Sequence, residues 1–266
     1  MILIDSHMHS VPFSHDAHST TEEMINSGIN KGLKALVFTN HFDKDNFDYG
    51  DEEVFDVEEY FKTLKPLQEK YKDKIDVRIG IELGFNEKRV DYYNDLLAKY
   101  PFDFVIGSNH ETEGHDVATK VLFKDRSDRE AYRIAFEDML NKINSGTNFD
   151  SLGHLDYVTR YGSVKGYTYS NFEDIIDEIL KAIIHKGKGI EINTAGIRYG
   201  IGFCHPKVEV LMRYRELGGE IITVGSDAHK VEDVAADFKL AGDLLQQCGF
   251  KYYSDFKGRI LHMNTL

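Results

Sequence analysis

Seven apolar runs of this chain read as buried strands, and six of them end on residue types that bind metals. The endings are Asp5-Ser6-His7-Met8-His9, Asn40-His41, Gly80-Ile81-Glu82, Asn109-His110, Gly153-His154 and Ser226-Asp227-Ala228-His229. The remaining run, closing on Glu191-Ile192-Asn193-Thr194, offers no evident ligand. Buried imidazoles and carboxylates each need a partner. Shared divalent cations would satisfy them together, which points to a multinuclear metallohydrolase.

Helical patterns alternate with these runs. Thr20 with Glu23, Ser127 with Glu130 and Ser170 with Glu173 fit capping boxes, which satisfy the free amides at a helix start. Asp56 precedes a face of Val57, Tyr60, Phe61, Leu64 and Leu67, with Pro66 expected to kink or shorten the helix. The helix after Ser170 turns Ile175, Ile176, Ile179, Leu180 and Ile183 inward, and others follow Pro206 and Val234. Strands are expected over 2–5, 35–39, 77–83, 102–108, 151–155, 189–193 and 220–225. Near-continuous apolar runs suit parallel strands covered by helices, so the expected fold is α/β, a closed barrel. Barrel active sites lie at the C-terminal ends of the strands, where these ligand-type residues fall.

With 266 residues and no Pro/Gly-rich linker, the chain is expected to form one domain over residues 1–266. The 32 basic and 45 acidic residues give a formal charge of −13, which argues against a nucleic-acid backbone as partner. Met1 leads straight into Ile2-Leu3-Ile4-Asp5 without a basic or extended apolar leader, so a cytoplasmic protein without a membrane span is expected. Cys204 and Cys248 are expected to be reduced. The acid-rich stretch 43–59 reads as a solvated loop and helix start, and the Gly/Tyr-rich stretch 162–169 as a loop that borders a pocket or turns the chain.

Asp5-x-His7-x-His9 is the strongest local signal, because alternate residues on a strand point the same way and bring both imidazoles to one ion. Glu82 sits at a strand exit, where it is suited to bridge two ions. His110 and His154 add single imidazoles, and Asp227 with His229 supplies a carboxylate and an imidazole together. His185, His205 and His262 have no such context.

On these motifs, together with Phe38-Thr39-Asn40-His41 and Glu191-Ile192-Asn193-Thr194-Ala195-Gly196, nearly the whole chain resembles the PHP (polymerase and histidinol phosphatase) family of trinuclear metal phosphoesterases. The resemblance implies a distorted (β/α)7 barrel with three divalent ions at the strand ends. His7, His9, Glu82 and Asp227 would hold one ion; Glu82, His110 and His154 a second; His41 and His229 part of a third. Its last ligand would be His15, with Asp16 as the alternative. The implied activity is hydrolysis of a small phosphate monoester, foremost L-histidinol phosphate in histidine biosynthesis, by attack of a metal-bridging hydroxide.

Nitrogen and oxygen ligands without cysteine suit zinc, manganese or iron. The chain contains no Gly-x-Ser-x-Gly elbow, phosphate loop or Cys-x5-Arg loop, which leaves metal-activated water as nucleophile. Arg160 and Arg198 are expected to clamp phosphate, Asn193 to orient substrate or water, and Asp227 or His229 to pass a proton to the departing alkoxide. Glu111, Glu113 and Asp116 are acidic candidates for the cationic end of the substrate, and His115 could reach the same pocket. Two other readings stay open: a phosphoesterase acting on a nucleotide or nucleoside bisphosphate, and a non-catalytic metal-binding regulatory domain. Nothing in the sequence sets the oligomeric state.

Overall fold

The computed structural model describes residues 1–164 and 166–266. Seven strands form one parallel sheet in chain order: β1 (Ile4–Met8), β2 (Ala35–Phe38), β3 (Asp76–Gly84), β4 (Phe104–Ser108), β5 (Ser151–Leu152), β6 (Gly189–Asn193) and β7 (Ile222–Gly225). Between and around them run α1 (Thr21–Asn30), α2 (Val57–Tyr71), α3 (Val90–Lys99), α4 (Asp128–Asn144), α5 (Glu173–His185), the short α6 (Ala195–Arg198), α7 (Val208–Glu216) and α8 (Phe238–Gln247). Continuous apolar strands need cover on both faces, and the helices supply it on the outside.

The sheet curls round until β1 meets the end of β7. His9 N–H donates to Ala228 O and Asp227 N–H to His7 O, both at 2.8 Å. Asp5, fully buried, fastens the same seam. Its carboxylate accepts from Ser226 N–H (2.9 Å), Ser226 Oγ–H (2.6 Å) and Ala235 N–H (2.8 Å). The first member of the opening motif is thus spent on closing the barrel.

The capping boxes at Thr20–Glu23 and Ser127–Glu130 form as expected. The third does not. α5 begins after Phe172 with no side-chain cap, and Ser170 lies in a preceding 3₁₀ turn. Phe172 instead docks among Tyr132, Phe136 and Tyr167, so aromatic packing fixes this helix start. α2 also runs through Pro66, which sits on its solvent face, where water can satisfy the freed carbonyl.

Besides the short α6, two larger features have no counterpart among the expected elements. One is α3, which starts without a side-chain cap and buries only Tyr93 and Leu97. The other is an antiparallel hairpin, β8 (Tyr252–Lys257) and β9 (Ile260–Thr265), turning on Gly258 and Arg259, both with positive φ. The hairpin covers the N-terminal end of the barrel. Phe256 stacks on Phe104 at 5.2 Å, Arg78 pairs with Asp255, Ile222 N–H donates to Ser254 Oγ, and Arg259 grips Asp150. With that end sealed, the strand ends at the opposite mouth are left for chemistry.

Asp5→Ala strands two buried donors of Ser226 and the half-buried Ala235 N–H at the seam, and a cost of about 3 kcal/mol is expected. The check is the midpoint of urea unfolding, and an unshifted midpoint would show that the seam does not depend on this carboxylate.

Candidate metal centre

Glu82, near the end of β3, is completely buried and stands at the centre of five imidazoles. Its two oxygens face different sets. Oε1 accepts from Ser108 Oγ–H at 2.6 Å and lies 3.0 Å from His154 Nε2 and 3.3 Å from His110 Nε2. Oε2 lies 2.9 Å from His41 Nδ1, 3.2 Å from His7 Nε2 and 3.5 Å from His9 Nε2. The placement follows from register: a short extended segment, His41–Phe42, pairs alongside Glu82 and Leu83, bringing His41 and Glu82 side by side.

Four imidazoles are held from behind through Nδ1, which turns Nε2 toward the cluster. His7 Nδ1 contacts Glu191 Oε1 at 2.7 Å, His9 Nδ1 contacts Ser14 Oγ at 3.2 Å, His110 Nδ1 contacts Asp43 Oδ1 at 2.8 Å, and His229 Nδ1 contacts the Asp227 carbonyl at 3.0 Å. Such backing partners fix the tautomer and the direction of a metal-ligating histidine. His7 Nε2 and His9 Nε2 approach to 3.0 Å, two nitrogens aimed at the same space.

Asp227 adopts a left-handed φ of 54° at the turn after β7. Its Oδ1 lies 3.4 Å from His9 Nε2 and 3.7 Å from His7 Nε2, while Oδ2 accepts from Arg160 Nη2–H (3.2 Å) and Asn193 Nδ2–H (3.3 Å). Gly225 makes room beside it. A Cβ there would come within 2.3 Å of Glu191 Oε1 and 2.4 Å of His7 Cβ.

The electrostatics are those of a site built for positive charge. Burial opposes a charge on Glu82, but His7, His41 and His110 outweigh it and hold the carboxyl well below its usual range. Asp227 is held low against burial by His7, His9 and His229. Burial also opposes charge on His7, His41 and His110, and the facing carboxylates override it and raise all three. His9 goes the other way, pushed well down by burial and by the His41 and His229 rings.

The donor set fits divalent cations. His9, His41 and His229; His7, His9 and Glu82; His7, His154 and Asp227; and His41, Glu82 and His110 each gather ligand atoms within 4.8 Å of one another. Among the described residues, the buried atoms Glu82 Oε2, His41 Nδ1, His154 Nδ1 and His229 Nε2 have no hydrogen-bond partner. Close atoms without hydrogen-bond geometry are what convergence on a shared cation leaves behind.

The remaining expected residues sort unevenly. His15 borders the cleft but is 46% exposed and pairs with Glu53 at 2.9 Å, whereas Asp16 Oδ2 lies 3.0 Å from His229 Nε2 and 3.7 Å from His41 Nε2. Asp16, and not His15, is thus the side chain that lies beside His41 and His229. Arg160 lines the cleft. Arg198 does not: it donates to the Ser226 and Asp227 carbonyls and pairs with Asp233, bracing the turn that carries Asp227. Asn193 is fully buried outside the described cleft lining, and its Nδ2 donates to the Glu191 and Asp227 carboxylates. Glu113 sits at a ribbon turn paired with Arg126, outside the described cleft lining, and His115 pairs with Asp48.

The acids that do line the cleft are Asp16, Asp43, Glu53, Asp116 and Asp227. The stretch 43–59 is thus not simply solvated, since Asp43 and Asn46 are buried in the cleft wall. In the stretch 162–169, Lys165 lies outside the described residues, and Tyr167 is packed among aromatic rings. The sequence assigns no site role to Glu191, Asp43, Ser14 or His205. For Glu191 the signal was an acid inside an otherwise apolar strand. Both cysteines are free and buried.

Comparison with known proteins agrees with this geometry. A PHP domain is matched over residues 5–195. The probable histidinol-phosphatase of Clostridium acetobutylicum is 33% identical over 252 residues, 94% of this chain and 95% of that protein. The histidinol-phosphatase of Lactococcus lactis is 33% identical over 273 residues, covering 98% and 97%. The crystal structure of the histidinol phosphate phosphatase from Lactococcus lactis, complexed with zinc, L-histidinol and phosphate, superposes with a TM-score of 0.88 at 31% identity, covering 97% of this chain and 98% of that one. The distorted seven-stranded barrel, the convergent ligand set and these full-length relatives lead to one conclusion: this chain belongs to the PHP family.

Proposed function

We propose that this protein is a metal-dependent phosphatase that converts L-histidinol phosphate to L-histidinol and phosphate. The observation that carries the reading is Glu82, a buried carboxylate that turns one oxygen to His110 and His154 and the other to His7, His9 and His41. That is the disposition of a carboxylate bridging two cations. Three ions, of zinc, manganese or iron, would be held by His7, His9, Glu82 and Asp227; by Glu82, His110 and His154; and by His41, His229 and Asp16. Bound there, they would supply Lewis acidity toward the phosphoryl oxygens and lower the pKa of the attacking water.

The chain's own residues do the rest. Arg160, on the cleft wall, meets the phosphoryl oxygens as a guanidinium fork can. Asp227 or His229, which border the same cleft, would relay a proton from the attacking water to the leaving oxygen. Of the acids expected at the substrate's cationic end, Asp116 keeps that role, and Glu53 takes the place expected for Glu111 and Glu113, which lie outside the described cleft lining. Asp116 and Glu53 line the cleft, and burial raises both carboxyls. Glu53 Oε1 pairs with His15, and Oε2 is buried without a hydrogen-bond partner among the described residues, an acceptor that an ammonium or imidazolium N–H would satisfy. An acidic wall of this kind disfavours nucleotides, whose additional phosphates would face it.

The decisive experiment measures phosphate release by metal-loaded protein from L-histidinol phosphate beside a nucleotide panel. The former is expected to have the highest kcat/KM, and a preferred nucleotide would reject the assignment. Glu82→Gln should lose bound metal and nearly all activity, as read by elemental analysis and phosphate release. Asp16→Ala is expected to release about one equivalent of metal, following the tetrahedral-type ligand count, while His15→Ala keeps its full content; the reverse pattern would restore His15 as the ligand.

A further inference from the structure

Arg160 is held by more than the cleft. Its Nε–H donates to His205 Nε2 at 2.9 Å, and its Nη2–H donates to Asp227 Oδ2 at 3.2 Å. The guanidinium carbon lies 4.7 Å from the Tyr157 ring centre and 4.4 Å from that of Tyr199. A guanidinium can only donate, so the His205 Nε2 facing it must carry a lone pair. The imidazole proton then sits on Nδ1, and Nδ1–H donates to Asp156 Oδ1. The other oxygen of Asp156 accepts from Lys207 N–H at 3.0 Å. Both Asp156 and His205 are fully buried, and neither is among the described residues lining the cleft.

We propose that Asp156 and His205 form a positioning pair for Arg160: Asp156 fixes the His205 tautomer, and the bare Nε2 so produced sets the plane of the guanidinium that receives the substrate's phosphate. The inference rests on Arg160 being the anion-binding group. It adds that the aim of Arg160 depends on two residues that never meet substrate. Arginine has many rotamers, and phosphate recognition through two parallel N–H bonds demands one plane. Tyr157 and Tyr199 confine the ring face, while rotation within that plane is stopped only where an edge nitrogen is pinned. His205 pins Nε, and Asp227 pins Nη2.

Asp156→Asn tests the chain of donors. Whichever way the new amide turns, its NH₂ opposes either His205 Nδ1–H or Lys207 N–H. The expected result is that KM for L-histidinol phosphate and the inhibition constant of inorganic phosphate both rise about tenfold, the scale of one charged hydrogen bond, with kcat changing less than KM and with metal content unaltered. His205→Phe, which fills the space without either nitrogen, should do the same. Unchanged phosphate inhibition in both variants, beside a weakened Arg160→Ala, would overturn the pair and leave Arg160 as clamp. Unchanged phosphate inhibition in Arg160→Ala would overturn clamp and pair together. Should the variants fail to fold, ¹⁵N-histidine NMR of the parent protein decides: His205 is expected as the Nδ1–H tautomer, and an Nε2–H signal would overturn the proposal.

Discussion

The structure depends on the burial of one carboxylate. Removing an ionised group such as Glu82 from water costs several kcal/mol unless partners surround it, and Glu82 has no exposed surface at all. Its partners arrive from different places in the chain: His7 and His9 at the end of β1, His41 after β2, Ser108 and His110 at β4, His154 after β5. Only a sheet that closes on itself brings those strand ends to one point. β3 is the longest strand, nine residues, and so carries Glu82 up to the level where the others terminate. Fold and site are therefore one problem, since the barrel is the arrangement in which this carboxylate has company.

A layer behind the ligand-type residues does the aiming. Glu191 takes the proton of His7, Ser14 that of His9 and Asp43 that of His110, so the opposite nitrogens face inward. Asp227 is treated likewise, braced by Asn193 and Arg160 at its carboxylate and by Arg198 at its backbone carbonyl. The left-handed backbone at Asp227 costs conformational energy that a non-glycine residue bears only when its surroundings fix it. Arg198, expected at the phosphate, is part of what fixes it.

The strand ends were legible because parallel strands are apolar throughout and their polar terminations stand out. His7, His9, His41, Glu82, His110, His154, Asp227 and His229 all announce themselves in that way. Glu191 did not, because it lies inside a strand with its charge absorbed by His7, and a pattern of apolar residues has no symbol for a buried pair. Asp43 and Asp16 were obscured by their neighbours. In a run of acids or beside a histidine, sequence cannot tell which side chain the backbone turns inward. His205 was hidden for a related reason: its partners Asp156 and Arg160 are close only after β5 and β6 lie side by side. The third capping box failed because Phe172 found an aromatic pocket, a tertiary contact that overrides local capping chemistry.

The cleft joins two opposed electrostatic demands. The protein as a whole carries a formal charge of −13, and Asp43, Glu53 and Asp116 add acidity to the cleft itself. A bare anion would be repelled by such a wall at the short distances where solvent screening is weak. An anion that also carries a cationic end escapes the penalty, because each charge can be met by its opposite: phosphate by Arg160 and cations at the Glu82 cluster, ammonium or imidazolium by the carboxylates. On the proposed reading, selectivity thus comes from pairing both ends at once, and substrates with a second negative group fail for want of a partner. On the same reading, the chemistry at phosphorus belongs to the Glu82 cluster, while the choice of leaving group falls to the loop acids around it.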